Sequence, residues 1–209
     1  MNSKVKRTIA VILSILTVLS LAACSSNRKT TVEQKDEVVL NNDSNILVVY
    51  YTWSGHLDSM AHWIADETGG DIIRVLAKEA YPEDYNSTAD RAKKEKDEGI
   101  RPEITLDLSA EDLSKYDTIF FGFPVWWYDL PMCMWTFLES TDLSGKTVIP
   151  FFSHEGSSNG ANSLDTLVKL AEGADVRKDD ALSIRGGKVD GSENEVREWV
   201  KNLGYSKEQ

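Results

Sequence analysis

Residues 46–57, with the sequence ILVVYYTWSGHL, constrain the fold of this chain more than any other segment. The first six are all β-branched, apolar or aromatic, without the alternation of polar and apolar residues that a half-solvated strand shows. Such a run is typical of a strand buried on both faces of a parallel sheet. From Leu57 to Thr68 apolar side chains return at helical spacing. The segment therefore predicts a buried strand, a short loop and a helix in direct succession.

The loop between this strand and this helix has the features of a phosphate site. Thr52 and Ser54 carry hydroxyls, and Gly55 allows the backbone to approach a ligand closely. The first amides of the helix lack partners within it, and the positive end of the helix dipole favours an anion. The alternative is an ordinary strand-to-helix connection without a ligand. The loop by itself does not decide between the two.

The first 23 residues have the pattern of an export signal. Lys4, Lys6 and Arg7 precede an apolar segment, residues 9–19, that is too short to span a membrane as a stable helix. The following Leu-Ala-Ala-Cys at residues 21–24 resembles the lipobox of bacterial lipoproteins. That resemblance implies cleavage before Cys24 and a diacylglyceryl thioether on its sulfur. The alternatives are an ordinary secretory signal or an uncleaved anchor.

Residues 25–44 contain mostly Ser, Asn, Lys, Thr, Gln, Asp and Glu. Such a segment cannot bury enough apolar surface to offset its ordering entropy, so we expect residues 24–44 to be a lipidated Cys24 followed by a disordered tether. About 20 flexible residues have a mean reach of roughly 25 Å. We therefore expect residues 45–209 to form one folded domain, anchored through lipid to the extracytoplasmic face of the cell membrane.

Charge and cysteine content narrow the function. The formal net charge of −11 becomes about −14 when residues 1–23 are removed, because they contain three basic residues and no acidic ones. Nucleic acid is then an improbable partner, since it needs basic patches. With Cys24 lipidated, Cys133 is the last thiol, so no intrachain disulfide is expected. The three histidines, His56, His62 and His154, are not spaced as metal ligands.

A second strand and loop lie at residues 117–131, DTIFFGFPVWWYDLP. Residues 118–123 predict another buried strand, which a Gly-Phe-Pro sequence converts into a loop with four large side chains: Val125, Trp126, Trp127 and Tyr128. Consecutive aromatic residues on a loop are costly to expose, so we expect them to cover something flat. Alternatively they fill the core or a dimer interface. Pro131 should begin the next helix, residues 132–139.

The remaining segments repeat the pattern. Residues 71–76 predict a strand, residues 89–98 a charged helix to which we assign no chemistry, and residues 146–152 a strand followed by a polar loop, 153–160. The next helix should bury Leu164, Leu167, Val168 and Ala171, and the last strand should be split over residues 174–176 and 181–184. A capping box at residues 192–195 should open a final helix that buries Val196, Trp199, Val200 and Leu203.

Strands that alternate with helices predict a parallel sheet covered on both faces by right-handed crossovers. In such sheets a ligand lies beyond the carboxyl ends of the strands, where the strand order reverses. The three loops described above all fall at that end. One loop offers a phosphate cradle, one offers aromatic planes, and the third offers small polar groups and amides.

These segments resemble the flavodoxin-like proteins, and the likeness extends over nearly all of residues 45–209. The resemblance implies an α/β fold, a three-layer α/β/α sandwich with a five-stranded parallel sheet in the order 2-1-3-4-5, and FMN as the cofactor. It assigns residues of the three loops to the cofactor site: for the phosphate, Thr52, Trp53, Ser54, Gly55, His56 and Leu57; beside the isoalloxazine, Pro124, Val125, Trp126, Trp127 and Tyr128; at the pyrimidine edge, Ser153, His154, Glu155, Gly156 and Ser157.

Two positions depart from the family pattern. The phosphate loop usually ends in Asn-Thr, whereas here it ends in His56-Leu57, which removes one hydroxyl. Glu155 occupies a position where Gly is common and places a carboxylate near the ring or forces the loop outward.

The resemblance supports three functional hypotheses. The first, which we favour, is an electron carrier that exchanges electrons with a redox partner protein or a small quinone-like acceptor. The second is an NAD(P)H-dependent quinone or nitro/azo reductase, although free NAD(P)H is an intracellular pool. The third is a non-redox binding lipoprotein that has lost the cofactor. No catalytic side chain is required, because the flavin supplies the redox step. His154 is a candidate proton donor, or alternatively a hydrogen-bonded loop histidine.

Overall fold

The computed structural model describes residues 38–39, 45–157 and 159–207. The predicted signal peptide, the lipidation site at Cys24 and nearly all of the predicted tether lie outside the described residues. Among the described residues, no helix has both the length and the apolar character needed to cross a bilayer.

The described residues form nine strands and six α-helices, with two 3₁₀ segments at Lys178–Asp180 and Gly186–Gly191. The strands are β1 (Val38–Val39), β2 (Ile46–Tyr50), β3 (Asp71–Arg74), β4 (Leu76–Ala77), β5 (Ile104–Thr105), β6 (Thr118–Pro124), β7 (Thr147–His154), β8 (Asp175–Val176) and β9 (Leu182–Arg185). The helices are α1 (His56–Thr68), α2 (Tyr85–Glu98), α3 (Ala110–Leu113), α4 (Met132–Ser140), α5 (Ser163–Leu170) and α6 (Glu193–Asn202).

The central sheet has the predicted parallel topology. Its parallel strands lie in the order β3-β2-β6-β7, and both β8 and β9 pair in parallel with β7. With β8 and β9 counted as one split strand, this is the order 2-1-3-4-5. β6 and β7 pair along seven positions, from Thr118 opposite Thr147 to Pro124 opposite Ser153.

Both faces of the sheet are buried, because successive side chains of β2 enter two different apolar clusters. Leu47 and Val49 pack on the face covered by α4 and α5, whereas Val48 and Tyr50 pack on the face covered by α1 and α6. The apolar run of β2 is unbroken because both of its faces are buried, as the sequence analysis inferred. The three-layer α/β/α fold is confirmed. Gly69, with a φ of 69°, ends α1 directly after Thr68.

The sheet edge differs from the prediction in two ways. Val38 and Val39 lie in the segment that the sequence analysis predicted to be a disordered tether, but they form a strand that pairs antiparallel with Ile73 and Ile72, so the tether prediction is wrong at these two residues. The strand predicted over residues 71–76 is divided: β3 ends at Arg74, and β4 pairs with β5 in a separate two-stranded sheet.

Two local predictions in the second half of the chain are wrong. Val168 is exposed, since α5 turns Leu167 and the following Ala171 toward the core instead. Ser192 does not form the predicted capping box. It follows a 3₁₀ turn, and its hydroxyl donates to the carbonyl of Lys188 (2.8 Å) rather than accepting from an amide of α6.

Candidate functional site

A cavity of about 480 Å³ opens at the carboxyl ends of the central strands. All three predicted loops contribute to its walls, and so does α2, to which the sequence analysis assigned no chemistry. The lining residues are Trp53 from the first loop, Val125, Trp126, Trp127 and Tyr128 from the second, Glu155, Gly156 and Ser157 from the third, and Tyr85, Thr88, Ala89 and Ala92 from α2.

The other predicted site residues do not line this cavity: Thr52, Ser54, Gly55, His56, Leu57, Pro124, Ser153 and His154. Leu57 is fully buried in the core. Ser153 and His154 are the last residues of β7, which ends two residues later than predicted. The pKa of His154 is lowered, chiefly because burial disfavours its charged form, so the structure gives little support to His154 as a proton donor.

The first loop is held in shape by the Thr52 hydroxyl. Its oxygen accepts hydrogen bonds from the amides of Gly55 (3.0 Å) and Leu57 (3.4 Å), and the residue is buried. The hydroxyl predicted to contact a phosphate therefore lies inside the loop. Gly55 has a φ of 90°, a conformation that favours glycine.

The outward side of this loop carries the groups that remain for an anion. The Ser54 hydroxyl lies 3.0 Å from Nδ1 of His56, the first residue of α1. In the part of the chain that the structure describes, the N–H groups of Ser54 and His56 have no hydrogen-bond acceptor. Free amides at a helix N-terminus bind phosphate well.

The sequence analysis missed a fourth segment at this loop, the turn after β9. A Cβ atom on Gly186 would lie 2.5 Å from Glu155 Oε1 and 2.6 Å from His56 Cε1. Glu155 in turn forms an ion pair of 3.4 Å with Arg185. The Gly-Gly pair directly after a strand at the functional end of the sheet was the available signal.

The aromatic loop is a tight turn with unusual backbone geometry. Trp126 and Asp129 exchange two hydrogen bonds of 2.9 Å, and the residues between them, Trp127 and Tyr128, have φ values of 48° and 64°. This is the pattern of a type I′ turn, which normally uses Asn and Gly. Each bulky residue held there costs about 1–3 kcal/mol, which other contacts must offset.

Three bonds from neighbouring elements hold the turn in place. The indole N–H of Trp127 donates to the carbonyl of Ala89 (2.9 Å), and the amide of Asn162 donates to the carbonyl of Tyr128 (3.0 Å). Lys96 donates to the carbonyl of Trp127. The turn is thereby fixed to α2 on one side and to the start of α5 on the other.

Trp126 has a different role from its neighbours. Its ring packs edge-on against Tyr51 and Tyr81, with centroids 5.6 and 5.0 Å away. Trp127 and Tyr128 instead keep 40% and 65% of their surface exposed at the rim. The aromatic loop therefore contributes one packed ring and two exposed rings to the cavity.

A buried polar network supports the α2 wall. The Tyr81 hydroxyl donates to Glu95 (2.5 Å), whose other oxygen accepts from Arg91 (2.8 Å). Arg91 also lies 4.1 Å from the centre of the Tyr81 ring. Burial, the nearby Cys133 and the hydrogen bond to Glu95 raise the pKa of Tyr81, and burial raises that of Cys133. Cys133 is therefore an unreactive packing residue.

Several polar groups in the cavity walls are already hydrogen-bonded within the protein. The indole N–H of Trp53 and the hydroxyl of Thr88 both donate to the carbonyl of Pro82, at 2.8 and 2.6 Å. With the Trp127 indole also bonded, the walls present aromatic faces and methyl groups. The other polar side chains of the lining are Glu155 and Ser157 in the third loop and the exposed tyrosines Tyr85 and Tyr128 at the rim. Among the described residues, no group of His, Cys, Asp or Glu is arranged to hold a metal ion.

A cavity with aromatic walls, next to an anion loop at the strand-order reversal of a parallel sheet, defines a protein that binds a flavin nucleotide. The comparison with known protein families identifies the family. A family model described as flavodoxin matches residues 45–203, so the chain belongs to the flavodoxin family.

Solved structures agree with this assignment. The chain is 31% identical to a protein from Bacteroides uniformis described as a flavoprotein, with a TM-score of 0.64 over 75% of this chain and 97% of that one. A similarly described protein from Bacteroides eggerthii is 28% identical, with a TM-score of 0.62 over 78% and 99%. A flavoprotein from Lactobacillus acidophilus in complex with FMN is 27% identical, with a TM-score of 0.55 over 70% and 97%.

The cofactor is FMN, and the residues present fit it. Ser54, His56 and the free amides beside them would hold the phosphate, and the adjoining apolar cavity would hold the planar ring. The loss of one hydroxyl at Leu57 leaves the helix-terminal amides in place. The hypothesis of a cofactor-free binding protein therefore receives no support.

Proposed function

We propose that this protein is an FMN-dependent electron carrier that serves a redox partner protein or a small quinone-like acceptor. The proposal rests on the hydrogen bonds of the cavity walls. The side-chain donors of Trp53, Thr88 and Trp127 all bond to backbone carbonyls. Walls of this kind pack a planar ring, and these three donors are not available for proton transfer to a substrate. FMN, when bound, supplies the electron-transfer chemistry.

The charge of the chain supports docking to a basic partner. A formal net charge of −11 attracts positively charged protein surfaces over distances of about a Debye length. The association rate with such a partner should fall as salt concentration rises, whereas the rate of electron transfer within the complex should not.

We further propose that Cys24 anchors the protein to the outer face of the cytoplasmic membrane. The support is the lipobox-like sequence at residues 21–24 and the polar segment that follows it. Metabolic labelling with a radioactive fatty acid tests this. Label should enter the wild-type protein and be absent from Cys24→Ala, which should also lose its membrane association.

Steady-state kinetics test the carrier proposal. The FMN-loaded protein is mixed with NADH or NADPH and a soluble quinone, and oxidation of the nucleotide is followed. A carrier supports no turnover alone and gains it when a separate flavodoxin reductase is added. Turnover without the reductase would overturn the carrier proposal.

The second candidate is a quinone or nitro/azo reductase, and one observation favours it. Tyr85 and Tyr128 remain 71% and 65% exposed at the rim, where a second planar molecule could stack. For a reductase, Tyr85→Ala should raise KM for the quinone with little effect on FMN affinity. The same substitution should leave electron transfer to small inorganic acceptors unchanged in a carrier.

A further inference from the structure

We propose that Arg74, outside the loop predicted to bind phosphate, is the positioning residue that makes this loop selective for a phosphorylated flavin. It acts by neutralising the carboxylate of Asp58 and by holding the carbonyl of Thr52. The inference rests on FMN as the cofactor and does not depend on whether the protein is a carrier or a reductase.

Arg74 is placed behind the loop by the register of the sheet. It is the last residue of β3 and lies opposite Tyr50, the last residue of β2, so its side chain reaches the loop that follows β2. Its Nη2 donates to the Thr52 carbonyl (3.2 Å), and its Nη1 lies 3.5 Å from Asp58 Oδ1. The Arg74 side chain is only 14% exposed.

The loop needs such a cation because carboxylates flank it on two sides. Asp58, in the first turn of α1, has its Oδ2 3.9 Å from the position that a Cβ on Gly55 would occupy. Glu155 approaches His56 across Gly186 on the other side. Residues 52–57 contain no Lys or Arg. Without compensation, the two carboxylates would repel a phosphate dianion at short range.

The two carboxylates are compensated unequally. Glu155 pairs with Arg185 at 3.4 Å, but both side chains are mostly exposed, so solvent screens that pair. The Arg74–Asp58 pair is much less exposed and is screened less. Arg74 is therefore the cation whose removal should change the potential at the loop most.

Arg74 also retains an unused donor. Its Nε is buried and has no hydrogen-bond partner among the described residues. Buried donors are bonded in most proteins, so an unused one beside an anion loop points to a role in the ligand-bound state.

The test compares FMN with riboflavin, which lacks the phosphate. The full-length protein in mild detergent is titrated with each flavin, and quenching of flavin fluorescence gives Kd. For Arg74→Gln we expect FMN affinity to fall about tenfold or more, since a charge-assisted interaction is lost, and riboflavin affinity to stay within about twofold. Arg185→Gln, which breaks the exposed pair, is the matched control and should leave both affinities within about twofold.

Asp58→Asn keeps the proposal falsifiable if Arg74→Gln does not fold. It leaves Arg74 without its counter-charge and should tighten FMN binding about threefold or more without changing that of riboflavin. Combining both substitutions should recover most of the FMN affinity lost in Arg74→Gln. Equal losses for both flavins, or no change in Asp58→Asn, would overturn the proposal. Failure of the wild type to bind either flavin would instead overturn the cofactor assignment.

Discussion

Gly186 lies so close to His56 that a Cβ atom on the glycine would stand 2.6 Å from Cε1 of the imidazole and 2.7 Å from Nδ1. Real Cβ atoms do not approach other heavy atoms this closely, so any side chain at residue 186 must displace the ring. The turn after β9 therefore fixes the position of the histidine that begins α1.

Gly186→Ala should consequently weaken FMN binding. Movement of the His56 imidazole disturbs its contact with Ser54, and loss of one such polar contact corresponds to about tenfold in Kd. Gly187→Ala is the matched control, because a Cβ at Gly187 has no heavy atom within 4 Å. Titration with FMN should show a loss for the first variant only; equal affinities would mean that His56 does not contact the cofactor.

Gly55→Asp should abolish detectable FMN binding. Gly55 has a φ of 90°, so aspartate there is strained, and its charge would add to that of Asp58 beside the loop. Gly145→Asp provides the control, since Gly145 also has a positive φ of 76° and open space but precedes β7 at the opposite end of the sheet. Trp127→Ala should weaken binding less than Gly55→Asp. Unchanged FMN affinity in Gly55→Asp would remove the phosphate-loop assignment.

Tyr128→Gly should stabilise the protein. Tyr128 has a φ of 64° and is 65% exposed, so its replacement relieves backbone strain and removes little packing. Tyr128→Ala removes the same ring but keeps the Cβ, and the glycine variant should exceed it by about 1 kcal/mol in the free energy of unfolding. Thermal or urea unfolding of the cofactor-free protein gives this difference. An alanine variant as stable as the glycine variant would show that the turn is not strained.

Stability should fall as pH rises above about 10, the ordinary pKa of tyrosine. Burial raises the pKa of both Tyr51 and Tyr81, with nearby Cys133 adding to the effect. The unfolded chain then loses these protons at a lower pH than the folded chain does, so the stability that the neutral tyrosines provide is complete below pH 10 and declines above it.

Tyr81→Phe tests the contribution of one of these groups. It should lower the free energy of unfolding near pH 7 by about 1.5–3 kcal/mol, since it removes a hydrogen bond to a buried carboxylate. It should also make the decline above pH 10 shallower. Urea unfolding at several pH values measures both quantities, and a slope equal to that of the wild type would contradict the assignment to Tyr81.

The sequence predicted the sheet well because its strands are buried on both faces. Continuous apolar runs such as residues 46–51 and 118–123 occur in few other contexts, and the glycines and prolines that follow them locate the loops. Both halves of the split last strand agree with the structure, and so does the strand order that the family resemblance implied. Val168 was misplaced because a helix of eight residues allows two overlapping apolar faces, and tertiary packing selects between them.

The site was predicted less completely, because some of its residues are far from the three loops in the sequence. Besides Tyr85, the cavity wall on α2 is made of Thr88, Ala89 and Ala92, three small residues in a helix that is mostly polar or charged, so no periodic signal marked it. The sequence identified the Thr52 hydroxyl, but it did not indicate that this oxygen accepts hydrogen bonds from amides of its own loop. Arg74 and Gly186 reach the loop only through the register of neighbouring strands.

The seven-residue pairing of β6 with β7 continues beyond the strands, because the amide of Val125 donates to the carbonyl of Ser153 (2.9 Å). The aromatic turn and the third loop thus follow two strands that are hydrogen-bonded to each other. Their separation is set by the spacing of about 4.8 Å between paired strands. Exchange of Trp127, Tyr128 or Ser157 should therefore alter which rings the protein accepts while the gap that receives them keeps its width. Because the strands set the width of the cavity and the side chains set its lining, the environment of the flavin can be engineered by single substitutions in this domain.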